Sequence, residues 1–311
     1  MPLNLANTVI AFLKDHPDEK FTARQIAEWV FQTFPEECQN KKAKSKSQSV
    51  RSDDDLIRQI QSEIGPRMMD PKKAAQIKTT EGRPRKYYFT GKSDEDEVVQ
   101  AESEARQSSD ASSAQPAKTQ EADLYPVIAS WLRAEHGLYA MRIDEKRSSN
   151  QRGPNGNKWL YPDLVGMEDL SAEWDREIKD CVKQYADKKT RLWSFEVKLL
   201  INRSNVREAY FQAVSNSSWA SFGYLVAGEI QGKDTMQELR MLFALHGIGV
   251  IQLEPDEISE SQIIIPARER PEIDWNTCNR LATENSDFME FIRRVRQFYQ
   301  TGDPRASDWE K

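Results

Sequence analysis

The sequence predicts an α/β chain in two domains: a small N-terminal one of three helices and a β-hairpin, and a larger C-terminal one built on a mixed sheet flanked by helices. Three observations predict it. The 311 residues are enough for two domains of about 100–200 residues each. Charge comes in blocks: residues 1–92 carry 17 Lys and Arg against 12 Asp and Glu, residues 93–120 carry 2 against 7, and residues 121–311 carry 25 against 31. The hydrophobic pattern also changes at the acidic block, from mainly helical spacing to helices alternating with apolar strands.

Composition excludes several classes. Hydrophobic residues make up 38% and charged residues 30%, so a core forms beneath a heavily charged surface. A mean hydropathy of −0.76 and the lack of any apolar run near the roughly 18–20 residues that span a bilayer exclude an integral membrane protein. The start, Met1-Pro2-Leu3-Asn4-Leu5, has no basic segment followed by an apolar one, which predicts no secretory leader. Cys38, Cys181 and Cys278 are odd in number and widely spaced. That predicts neither a disulfide framework nor a zinc ribbon, and fits a reducing cytoplasm. His16, His136 and His246 are too far apart for an HExxH metalloprotease or an HNH nuclease.

In the first domain, Leu5, Val9, Ile10 and Leu13 repeat at helical intervals behind Asn4 or Asn7. Thr22 caps a second helix that turns Ile26, Ala27, Trp29, Val30 and Phe34 toward a core, and Pro35 closes it. Residues 52–55 open a third helix with Leu56, Ile57, Ile60 and Ile64 on one side, ended by Gly65-Pro66. Residues 77–80 and 85–89 flank a turn at 81–84 and read as a hairpin. Three short helices followed by a two-stranded ribbon is the winged-helix arrangement. In general shape and pattern the segment resembles HARE-type winged helix-turn-helix modules.

Its chemistry is electrostatic. Lys41, Lys42, Lys44, Lys46 and Arg51 fall in the expected loop before the third helix, and Arg83, Arg85 and Lys86 on the expected wing. Such clusters suit DNA phosphates, with Arg58 or Gln59 on the third helix as candidates for base edges. The alternative is a solvated loop on a protein-binding winged helix. Residues 93–120 are Ser-, Glu-, Gln- and Ala-rich with Val98 and Val99 among few apolar side chains. They bury too little to offset ordering entropy, which predicts a flexible tether.

The second domain starts at Glu121. Leu124, Ile128, Trp131 and Leu132 mark an amphipathic helix ending near Gly137. A strand over 138–143 leads into a polar loop, and a second strand covers 159–165. Trp174, Ile178, Cys181, Val182 and Tyr185 suggest an intervening helix whose stripe is core packing, and 191–201 is a strongly apolar third strand. Helix 204–216, strand 222–227, helix 235–246 and strand 248–253 follow. Residues 275–300 read as a helical pair that closes the domain or forms a dimer surface. The order α-β-β-β-α-β argues a mixed sheet flanked by helices.

Within it stand Pro162-Asp163 and Glu196-Val197-Lys198. Residues two apart in a strand share a face, so Glu196 and Lys198 point together, away from Trp193, Phe195, Val197 and Leu199. Asp163 on the adjacent strand can meet Glu196 across the pair. Two carboxylates so placed bind Mg2+ through oxygen, and the ion lowers the pKa of a bound water. A neighbouring lysine orients that water and offsets charge developing on a phosphate. Pro17-Asp18 and Pro255-Asp256 have no strand-borne acidic-x-lysine downstream. After Asp163, the pairs Glu177/Lys179 and Asp187/Lys189 fall in a polar helical stretch, and Glu196/Lys198 alone fall on an apolar strand.

From about Glu121 to Leu253 the chain resembles the PD-(D/E)XK restriction-endonuclease-like superfamily, whose core runs α-β-β-β-α-β. The resemblance implies catalytic roles for Asp163, Glu196 and Lys198, and a metal held by Asp163, Glu196 and Val197. Many members add an acidic residue on the first helix, a place that Glu121, or Glu135, would fill; others carry a glutamine on the helix after the third strand, and Gln212 matches. The stretches 215–219 (Ser-Asn-Ser-Ser-Trp) and 246–250 (His-Gly-Ile-Gly-Val), with the winged helix, are similar to HrgA-like bacterial proteins of restriction and defence loci.

Each residue also has a plainer explanation. Glu196 and Lys198 form an exposed ion-paired strand face, Asp163 serves a turn, Glu121 complements a helix dipole and Gln212 is a partly buried polar residue. Lys146, Arg147, Arg152 and Lys158 either solvate a loop or contact phosphates. The expectation is a cytoplasmic endonuclease dependent on Mg2+, with Mn2+ as an alternative, that acts on double-stranded DNA, with a homodimer possible and no membrane partner. Its acidic catalytic domain repels phosphate and relies on the basic module. The alternative is a DNA-binding regulator whose nuclease-like domain is catalytically silent and serves dimerisation.

Overall fold

A computed structural model describes residues 4–44, 52–68, 77–107, 120–149, 157–185 and 189–309. The chain is a mixed α/β protein that divides into two compact units, the first running to Ser93 and taking in Gln231–Lys233, the second taking in Asp94–Ile230 and the residues from Asp234 onward. No helix among the described residues is long and apolar enough to cross a membrane.

The first unit comprises α1 (Leu5–Asp15), β1 (Phe21–Thr22), α2 (Ala23–Thr33), α3 (Pro35–Lys44), α4 (Asp53–Met68), β2 (Ile77–Thr79) and β3 (Lys86–Phe89). Thr22 caps α2 through a reciprocal pair of bonds with Gln25, the capping-box arrangement. Leu5, Val9, Leu13, Ile26, Val30, Leu56, Ile60 and Ile64 are fully buried and form its core. The expected hairpin is present, but β1 joins it to make a three-stranded antiparallel sheet in the order β1-β3-β2.

Two boundaries differ from the expectation. Pro35 ends α2 and also starts α3, because a proline at the first helical position gives up an N–H that has no partner there. Glu36 and Glu37 then complement the helix dipole. Lys41 and Lys42 are therefore on a helix, not in a loop. The third expected helix, α4, runs through Pro66 to Met68, whose buried side chain anchors the last turn.

The second unit opens with α5 (Asp94–Gln107), followed by α6 (Glu121–His136), β4 (Leu138–Arg142), β5 (Leu164–Asp169), α7 (Arg176–Tyr185), β6 (Thr190–Ile201), α8 (Val206–Asn216), β7 (Phe222–Ile230), α9 (Lys233–His246), β8 (Gly249–Gln252), β9 (Gln262–Ile265), α10 (Trp275–Glu284) and α11 (Ser286–Thr301). The first half of the expected tether is thus helical. Four acidic residues in the first turn of α5 favour the helix by its dipole, and the helix packs against β6, where Asn202 Nδ2 donates to the Asp94 carbonyl at 2.7 Å.

The six strands form one mixed sheet in the order β4-β5-β6-β7-β8-β9. β4, β5 and β6 are antiparallel, β6, β7 and β8 parallel, and β9 antiparallel at the edge. One face packs α6 against Leu138, Ala140, Phe195, Val197 and Val226. The other packs α10 and α11 against Tyr139, Met141, Val165 and Leu192, and α8 and α9 against Leu225, Ala227 and Val250. The expected helical pair is α10 and α11, and it closes this face. β9, a Gln262-Ile263-Ile264-Ile265 run, was not among the expected strands.

The apolar stripe of α7 is not core packing. Trp174 and Ile178 are 37% and 52% exposed, and Cys181 is exposed too, so helical spacing here marks an amphipathic surface face. β5 also starts later than expected, at Leu164. Residues 157–160 form a turn instead, which leaves Asp163 at the entry to the strand.

Candidate active site

β5 pairs with β6 only as far as Leu164↔Phe195, whereas β6 continues beside β7 to Ile201↔Ile230. From Glu196 onward β6 therefore has no neighbour on its β5 side. The site sits in that notch. One more ladder bond, from the Asp163 N–H to the Phe195 carbonyl at 3.1 Å, sets Asp163 opposite Glu196, as the sequence pattern predicts. The Val197 N–H, without a strand partner, donates instead to Asp163 Oδ2 at 2.7 Å.

Besides Asp163, three elements send side chains into the notch. From β6, Glu196 is 1% exposed, and its Oε1 accepts from Lys198 Nζ at 2.6 Å. From α8, Asn216 Nδ2 donates to Glu196 Oε2 at 2.9 Å and to the Tyr161 carbonyl at 2.8 Å. From the start of α6, Glu121 Oε1 accepts from the Tyr125 hydroxyl at 3.0 Å, and that hydroxyl also lies 3.4 Å from Asp163 Oδ1. From α8 again, Gln212 Nε2 donates to the Lys158 carbonyl at 3.1 Å. The close approach of the α8 C-terminus depends on Gly223 in β7, where a Cβ would stand 2.6 Å from Ser217 Cβ.

The charges do not balance. Three carboxylates meet one ammonium, and the surplus shows in the proton affinities of Glu196, Glu121 and Lys198. Burial, reinforced by repulsion from Asp163, pushes Glu196 up to about 8. Glu121 is raised by burial and by Asp163, against the pull of Lys198. Burial lowers Lys198, but Glu196, Asp163 and Glu121 outweigh it and hold the ammonium well above its ordinary value. The Tyr125 hydroxyl is held protonated by burial and by the two carboxylates it joins.

The structure brings together Asp163, Glu196, Lys198 and Glu121, with Val197 bonding through its main chain and Gln212 one contact away. Burial of Glu196 contradicts the exposed ion-paired face. Glu135 is at the opposite end of α6, about 20 Å along the axis at 1.5 Å per residue, and exposed. Tyr125 and Asn216 are the residues that sequence reasoning missed. Tyr125 stands four residues after Glu121 on the same helical face, a signal that was present but looked like core; Asn216 lies within the 215–219 stretch.

As these side chains stand, no three His, Cys, Asp or Glu among the described residues are placed to hold a metal ion. The physical reason is that protein donors occupy them: Lys198 and Asn216 take Glu196, while Val197 and Tyr125 take Asp163. The donor set still suits a hard divalent cation, being all oxygen with surplus negative charge. Gln212 Oε1 and Asn216 Oδ1 are also buried without a partner, acceptors matched to the water that such an ion carries.

The basic residues are mostly paired. Lys41 meets Glu63 at 2.8 Å, Lys42 meets Asp53 at 3.0 Å, Arg58 meets Asp54 at 2.8 Å and Arg85 meets Glu81 at 2.7 Å. Gln59 Nε2 donates to Glu63. Arg147 pairs with Asp287 and Lys158 with Glu208. Arg83 and Lys146 are exposed and Lys86 half-buried, and among the described residues none of the three makes an ion pair. Lys46, Arg51, Arg152 and the Lys44 side chain lie outside the described residues.

The chain matches none of the protein-family models, curated proteins or solved structures with which it was compared.

Proposed function

We propose that this chain is a divalent-cation-dependent DNA endonuclease, its second unit a PD-(D/E)XK restriction-endonuclease-like core and its first unit a winged helix that docks on duplex DNA. The observation that carries the reading is the convergence of Glu121, Asp163, Glu196 and Lys198 in the notch where β6 leaves β5. The element order α6-β4-β5-β6-α8-β7 supports the core assignment, with α7 inserted between β5 and β6. Helices α1, α2 and α4, the β2–β3 ribbon of the three-stranded sheet, and Arg83 and Lys86, which make no ion pair among the described residues, support the docking module.

Asp163, Glu196, the Val197 carbonyl and Glu121 are the oxygens that would hold Mg2+ or Mn2+. When bound, the ion supplies positive charge to a phosphate and lowers the pKa of a coordinated water. To ligate such an ion, Glu196 would have to release Lys198. The ammonium, kept protonated by the surrounding carboxylates, is then free to orient the attacking water and to offset charge growing on phosphorus-bound oxygen. Asn216 keeps its hold on Glu196 Oε2, so the carboxylate stays aimed at the notch. Tyr125 keeps Glu121 and Asp163 at a fixed separation.

A second reading, a DNA-binding regulator with a silent nuclease-like domain, is favoured by one observation: Glu196 is closed on Lys198, and no metal-ready trio stands assembled among the described residues. One assay separates the two. Purified protein is incubated with supercoiled plasmid, modified and unmodified, with Mg2+, Mn2+ or EDTA. Nicked or linear product with the cations and none in EDTA supports the endonuclease; DNA binding without any divalent-dependent nicking supports the regulator.

A further inference from the structure

Arg142 is the last residue of β4, paired with Leu164 and so next in register to Asp163. Leu138 and Ala140 on the same strand face pack against α6, and alternation puts Arg142 on that side as well. Its guanidinium lies 4.7 Å from the centre of the Tyr125 ring, the ring whose hydroxyl joins Glu121 to Asp163. Arg142 is exposed. Among the described residues no carboxylate lies within ion-pair distance of it, although the notch carries surplus negative charge one ring away.

We infer that Arg142 is a phosphate contact of the substrate site, binding a phosphodiester oxygen of the nucleic-acid backbone beside the carboxylates; this rests on the endonuclease reading above. A guanidinium stacked on an aromatic ring keeps its five N–H donors in a fixed plane. The ring restricts its motion without using those donors, so the fork remains available to a phosphate. Lys198 approaches the same carboxylates from β6, on the other side of Asp163. Arg142 would thus add a cation from β4, on the α6 side, to the one that Lys198 supplies from β6. Acidic surroundings make such a contact necessary, because the carboxylates alone repel the backbone.

The test measures binding of a short fluorescein-labelled DNA duplex by anisotropy in Ca2+, and plasmid nicking in Mg2+, with the full chain. Arg142→Ala is expected to weaken duplex binding about tenfold, the loss typical of one charged hydrogen bond, and to raise KM more than it lowers kcat. The slope of log affinity against log salt should fall by about 1, as one phosphate contact is removed. Arg142→Lys should fall between. Arg296→Ala, an exposed arginine on α11 across the sheet, should change neither readout. Wild-type affinity and salt slope in Arg142→Ala, while the wild-type chain nicks DNA, would overturn this inference and leave the endonuclease standing. An equal loss in Arg296→Ala would overturn it too, since the effect would then be one of general charge. If the wild-type chain binds duplex but never nicks it, the endonuclease reading fails and this inference with it.

Discussion

Asp163 and Val197 are joined by a 2.7 Å hydrogen bond from the Val197 main-chain N–H to Asp163 Oδ2, made where β6 loses its β5 neighbour. The carboxylate completes a ladder that the backbone leaves open. Asp163→Ala should therefore expose that amide. Hydrogen exchange at Val197 is expected to speed up by at least about tenfold, corresponding to the loss of a charged-acceptor bond worth about 1.5 kcal/mol or more. Unchanged protection would mean that another acceptor serves the amide.

Asn216 holds three acceptors with one amide, the Lys158 and Tyr161 carbonyls and Glu196 Oε2. Truncation leaves buried acceptors without a donor. Asn216→Ala is expected to lower unfolding free energy by about 2–3 kcal/mol, since each orphaned buried group costs roughly 1–3 kcal/mol. Urea denaturation followed by circular dichroism measures this, and a change below about 0.5 kcal/mol would show that the turn over 157–163 is held by other contacts.

Glu196 sets a pH dependence of known sign. Its folded value, near 8, stands above the 4.5 of a free side chain. The fold thus binds this proton more tightly than the unfolded chain does. The stabilisation is complete below about pH 4.5 and is lost as pH rises through 8. The unfolding free energy of the wild type minus that of Glu196→Gln should accordingly decline between those limits and level off above. A difference that grows with pH would contradict the burial argument.

Charge pairing in the first unit makes a further distinction. Arg83→Ala with Lys86→Ala should reduce the salt slope of duplex binding by about 2, at roughly 0.9 per phosphate contact. Lys41→Ala, which breaks the bond to Glu63, should lower the melting temperature and leave the slope alone. Anisotropy titrations from 50 to about 200 mM salt separate the two. The reverse pattern would place the docking surface on α3.

Much of the site was legible because strands obey a strict period of two. The run from Trp193 to Leu199 set Glu196 and Lys198 on one face, and the adjacent strand then had to bring Asp163 to them. Local caps were equally readable, as with Thr22 and Gln25. What escaped were relations across long sequence separations. Lys41 and Glu63 are 22 residues apart, and a count of charges cannot say that a basic cluster is already neutralised. Tyr125 looks like any buried aromatic until its hydroxyl is placed between two carboxylates. The α7 stripe had core-like spacing, but periodicity reports only that a helix has an apolar face and not what covers it. The acidic block at 94–107 has few apolar residues, yet its helix is favoured by a charged first turn and by docking on β6.

The central claim is that one cluster, Asp163, Glu196 and Lys198, performs phosphodiester hydrolysis. The most direct measurement compares wild-type protein with Lys198→Ala for plasmid nicking in Mg2+ and for duplex affinity in parallel. The account predicts that the variant loses nicking by at least about a hundredfold, the scale of one positioned catalytic group, while its affinity for duplex stays within a few-fold of wild type. Full nicking activity in Lys198→Ala would contradict it.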